Sequence, residues 1–149
     1  MTPVTPDYSI AGSKAGAASA VPAGLAENRA ACQENQSKAK TSIVGNTMTV
    51  TVTGGVDSLN EWASSNPSQG TGKWIALDIA TGTTDITTVE YQGELLTAAD
   101  VEEADLWGFA NGHFVLWIKA ENVKTTPKTF TLGGDGETKT FTIKVVDGI

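Results

Sequence analysis

Four tryptophans, one histidine, one cysteine and a single dense run of carboxylates are the residues of this chain with chemistry to offer. The run is Asp100, Glu102, Glu103 and Asp105. Paired carboxylates hydrolyse glycosides only when they face each other across a substrate. These four share a short segment that must also bury Val101 and Leu106, so they read as the solvated face of a helix. Asp135 and Glu137 flank Gly136 without the spaced oxygen ligands of a calcium loop, and read as a plain turn. Cys32 would need a base beside it to act as a nucleophile. The one histidine, His113, falls in a strand of the other region, with no metal partner visible in the sequence. There is no glycine-rich phosphate cradle, nucleophile elbow or zinc-ligand spacing. The expectation is a protein that is not an enzyme and takes no cofactor or metal.

The tryptophans point to binding instead. Trp62 and Trp107 end short helical segments and are expected to plug the core. Trp74 and Trp117 lie opposite the aliphatic stripes of their strands, which predicts that at least one of them faces outward. An exposed indole on a β domain stacks on a sugar ring or anchors a protein interface. Trp74 and Trp117, with Tyr8, Ile10 and Leu25 of the N-terminal segment, are the candidates for partner contact.

The elements that position these residues follow from periodicity. Residues 1–22 read as an extended arm, since Pro3, Pro6 and Pro22 block helix and the Gly, Ala and Ser between them supply little to pack. Residues 23–36 predict a short helix with a thin apolar face of Leu25, Ala26 and Ala30. From Ser42 to Thr53, Met48, Val50 and Val52 alternate with threonines, the period of a half-buried strand. Gly45-Asn46 marks a turn or bulge within it. Val56, Leu59 and Trp62 predict one helical turn. Strands are expected at Lys73–Ile79, Thr83–Tyr91, His113–Ala120, Pro127–Leu132 and Thr138–Val146, with a hairpin loop at residues 133–136. Thr97–Trp107 predicts a second short helix, with Thr97 as its N-cap.

Six or seven short strands with regular turns predict a mainly β fold, an antiparallel immunoglobulin-like β-sandwich with one or two short helices and an extended N-terminal arm. A small barrel is the competing architecture. The division is an arm with a short helix, residues 1–40, and a β domain, residues 41–149.

Charge divides the same way. Lys14, Arg29, Lys38 and Lys40 against Asp7, Glu27 and Glu34 leave residues 1–40 at +1. The rest carries six lysines against fourteen acids, within a total of −7. A nucleic-acid partner is not expected, because phosphate contacts need clustered Lys and Arg. No stretch approaches the roughly 20 apolar residues of a membrane span, and the N-terminus lacks the basic and apolar regions of a secretory signal. The expectation is synthesis in a cytoplasm, with no membrane partner.

Gly-Lys-Trp-Ile-Ala-Leu-Asp-Ile (72–79), Gly-His-Phe-Val-Leu-Trp-Ile-Lys (112–119) and Thr-Lys-Thr-Phe-Thr-Ile-Lys-Val-Val (138–146) resemble the immunoglobulin-like domains of bacterial and phage surface proteins. The layout is similar to head-fibre or head-decoration proteins of tailed phages. That resemblance implies a virion protein, made in the host cytoplasm, that grips the major capsid protein or another virion subunit through residues 1–40. It implies a homo-oligomer or a monomer placed by the capsid lattice. The alternative is a glycan- or protein-binding module of a bacterial cell-surface protein, with a surface glycan as partner.

Overall fold

The computed structural model describes residues 10, 12–15, 29–63, 71–83, 86–96, 113–134 and 136–149. Threonine alternation produces the first hairpin. β2 (Ala39–Val44) and β3 (Thr47–Val52) pair antiparallel across Gly45-Asn46, and Gly45 takes the positive φ of 60° that the first position of a tight turn demands. Met48, Val50 and Val52 are fully buried, while Thr47, Thr49 and Thr51 stay on the outer face.

Two sheets make the body. The larger has six strands in the order β2, β3, β11 (Glu137–Asp147), β10 (Lys128–Gly134), β7 (Thr88–Tyr91) and β8 (Glu94–Leu96). The smaller has β1 (Lys14–Ala15), β6 (Trp74–Ala80) and β9 (His113–Lys119), with β6 in the middle. A two-residue ribbon, β4 (Trp62–Ala63) with β5 (Thr71–Gly72), lies before β6. The class is mainly β with few helices, as the periodicity predicts.

The pairing is not wholly antiparallel. β3 runs parallel to β11 through six register pairs, from Thr47 opposite Thr142 to Val52 opposite Asp147. An early strand and the last one thus lie side by side in the same direction.

The core lies between the sheets. Ile75, Leu77 and Ile79 of β6 and Phe114, Leu116 and Ile118 of β9 meet Val50, Phe130, Leu132, Phe141 and Ile143 from the larger sheet. Phe130 stacks on Phe141 and takes Phe114 edge-on, the arrangement that aromatic quadrupoles favour.

Several boundaries differ from the sequence expectation. α1, described over Arg29–Lys38, runs past the end of the expected helix, straight into β2. The strand expected through Ala120 stops at Lys119, and Ala120–Thr125 form a short helix, α2. Gly133 and Gly134 belong to β10 rather than to a loop. The helix expected at Thr97–Trp107 lies outside the described residues.

Asp147 closes the end of β11. Its carboxylate meets Lys124 of α2 at 2.6 Å and accepts the Val56 N–H at 2.8 Å. The Lys124 hydrogen bond, then the Val56 amide, hold the Asp147 carboxyl below its usual range. A carboxylate depressed in the folded state adds stability above its unfolded pKa, and this is lost as pH falls through the folded value. Asp147→Asn is therefore expected to flatten the acid limb of the stability profile, read as urea midpoints across the carboxylate range. The pair is exposed, so the effect is small. An unchanged acid slope would deny Asp147 this role.

Candidate functional site

Of the five candidate contact residues, Ile10 and Trp74 have described side chains, and both are buried. Tyr8 and Leu25 lie outside the described residues. Ile10 is 1% exposed and belongs to the hydrophobic core. Trp117 falls in β9, opposite Ala76 of β6.

Trp74 is not an outward platform, because it is only 6% exposed. The alternation placed it correctly on the face opposite Ile75, Leu77 and Ile79, but that face is buried too: Ala76 and Asp78 are as inaccessible as Trp74. Lys119, its register partner, holds its ammonium 5.1 Å from the indole centroid, a cation–π contact. The lysine stem then runs over Gly72, where a Cβ would come within 3.1 Å of it.

The most structured feature is one edge of β6. At Trp74, Ala76 and Ala80, backbone groups turn to the side away from β9, and the N-terminal residues meet them in succession. The Trp74 carbonyl accepts from Asn35 Nδ2 at 3.2 Å. Ala76 donates its N–H to Gln36 Oε1 at 2.8 Å, and its carbonyl accepts from Gln36 Nε2 at 2.9 Å. The Gln36 amide thus does for Ala76 what a neighbouring strand would do. Asp78 and Leu77 stand opposite Lys14 and Ala15 of β1, and the Ala80 N–H donates to Ser13 Oγ at 2.9 Å. Asn35 also binds Asn60 twice, donating to its carbonyl and accepting its N–H.

The described part of residues 1–40 is therefore built into the β domain. Ile10, β1 and α1 close an edge that would otherwise offer unpaired backbone to another chain. Asn35 and Gln36 cover the Trp74–Ala76 stretch of that edge, and sequence reasoning missed both. Polar residues at the end of a weak helix look solvated, and no local signal reveals a strand edge some 40 positions away.

The outer face of the larger sheet is rich in threonine. Thr47, Thr49 and Thr51 lie beside Thr142, Lys144 and Val146, and the Thr131 and Thr140 hydroxyls bond across strands at 2.8 Å. Among the described residues, no group of three or more His, Cys, Asp or Glu side chains is placed to hold a metal ion. No described helix is long and apolar enough to cross a membrane. Comparison of the chain with protein-family models, with curated proteins and with solved structures found no match.

Proposed function

We propose that the chain is a non-enzymatic structural protein of a phage virion, decorating the capsid surface and displaying an acidic immunoglobulin-like sandwich. The observation that supports the fold reading is strand connectivity. β11, β10 and β7 with its β8 extension share one sheet, and β6 pairs with β9 in the other. That grouping supports an immunoglobulin-like plan, in which the last two strands join the third and the second pairs with the fifth, here with β2 and β3 added beside β11. The short helix α2 makes the crossing from β9 to β10.

The acidic balance of residues 41–149 suits a projecting domain, because like charge keeps neighbouring copies soluble and apart. Since Ile10, β1 and α1 serve the fold, capsid attachment is assigned to residues 1–9 and 16–28, which include Tyr8 and Leu25. The alternative, a glycan-binding module of a bacterial surface protein, is weakened by the burial of Trp74, one of its two stacking platforms.

Co-sedimentation with tailed-phage capsids tests the proposal. Tyr8→Ala with Leu25→Ala is expected to weaken capsid binding by more than about tenfold, the scale of a modest interface hot spot. Full binding by that variant would remove these residues from the attachment. No capsid binding by the intact chain, with glycan binding lost on Trp117→Ala, would favour the surface module.

A further inference from the structure

β1 is a two-residue strand that pairs with β6, lies close to β2 and packs Ala15 against the core. Two residues pair in register, Ser13 makes one side-chain bond, and Ile10 supplies a buried anchor. The remainder of the same edge does not depend on β1, because Asn35 and Gln36 reach Trp74 and Ala76 from α1. β1 can leave while that stretch of β6 keeps its partners.

Reach is sufficient for β1 to find another copy. Thirteen residues, 16–28, join Ala15 to Arg29. At roughly 3.3–3.6 Å per residue they extend to about 43–47 Å. A compact domain of this length has a radius of gyration of about 15 Å, hence a width of under about 40 Å. A connection with that maximum reach is long enough to cross a domain.

We infer that the Ile10–Ala15 segment is exchangeable between copies. β1 of one copy pairs with β6 of a second, Ile10 enters the second copy's core, and reciprocal exchange closes a dimer. The donated strand meets the same residues it leaves, so the two states differ in connectivity and not in contacts. Concentration then decides between them. A tether of this length holds its own strand at an effective concentration in the mM range. Exchange is therefore a minor event in dilute solution and grows where copies are crowded. This holds for any crowded assembly, whether or not that assembly is a virion.

Gly12 and Ala80 provide the test. A Cβ at Gly12 would lie 3.4 Å from the Ala80 Cβ, near the roughly 3.5–4.5 Å of a disulfide, and neither residue is in the core. In a Cys32→Ser background, one copy carries Gly12→Cys and a second, distinguishable by mass, carries Ala80→Cys. The two are mixed and oxidised over a concentration series. The expected product is a link between residue 12 of one copy and residue 80 of the other. Its share should rise about tenfold per tenfold increase in concentration while it is minor, by mass action. Gly12→Cys and Ala80→Cys in one chain should close internally at high dilution. If that variant closes internally while the mixture yields only like-with-like links at the highest concentration, β1 is fixed in its own domain and the inference is overturned. Failure of the double variant to close would overturn it as well, because the pairing to be exchanged would be absent.

Discussion

Phe130→Ala is expected to lower stability by about 3–5 kcal/mol, the usual cost of emptying a buried phenylalanine site. Phe130 has no exposed surface. Its ring stacks on Phe141 at 5.5 Å and receives the edge of Phe114 at 6.4 Å. Phe114 belongs to the smaller sheet and the other two to the larger, so this is where the layers touch. The surrounding side chains stand on paired strands that cannot easily collapse inward, which places the cost towards the upper end. A domain holds about 5–15 kcal/mol in total, so the variant would be close to its folding threshold. Equilibrium urea unfolding should show a lower midpoint with an unchanged slope. A loss below about 1 kcal/mol would mean that the layers are joined elsewhere.

Asn35→Ala should cost about 3 kcal/mol, far more than a polar residue at the end of a helix ordinarily does. Asn35 is completely buried and makes three hydrogen bonds, two to Asn60 and one to the Trp74 carbonyl. Each contributes roughly 0.5–1.5 kcal/mol net, and truncation also leaves a void. Gln36→Ala removes two further bonds, both to Ala76. The two substitutions should not add, since both release the same edge. Native-state hydrogen exchange offers a local reading: the Ala76 amide should lose protection in Gln36→Ala while amides of β10 and β11 keep theirs. Unchanged protection at Ala76 would show that its amide does not depend on the glutamine.

How much was legible in the sequence follows the range of each interaction. Period-two alternation identified Met48, Val50 and Val52, and Phe114, Leu116 and Ile118, as core residues, because the pleat alone dictates which side chains share a face. The break at Gly45-Asn46 was legible for a similarly local reason, and the structure makes it a turn. The parallel pairing of β3 with β11 was not, because strand partners some 95 residues apart leave no trace in either segment. Gly133 and Gly134 looked like a loop, yet they lie in β10, where a Cβ at 133 would fall 2.5 Å from the Thr88 hydroxyl on β7 and would require that side chain to turn away. Alternation in β6 put Trp74 and Ala76 on the face away from its aliphatic stripe, but Trp74, Ala76 and Asp78 are buried as well. Of the candidate contacts, Ile10 entered the core because the edge of β6 needed an anchor, a requirement that residues 1–22 cannot announce by themselves.

The position of β11 bears on how the protein is made. It lies between β3 and β10, yet it leaves the ribosome after every other described strand. Until Glu137–Asp147 emerge, the β2–β3 hairpin and the β10–β7–β8 group are two separate pieces with no strand to join them. Folding from the N-terminus during synthesis can therefore preform fragments but cannot complete the larger sheet. Closing it requires contacts of high sequence separation, which slows folding and prolongs the exposure of unpaired strand edges. A chain cut before Glu137 would lack the strand that joins β3 to β10.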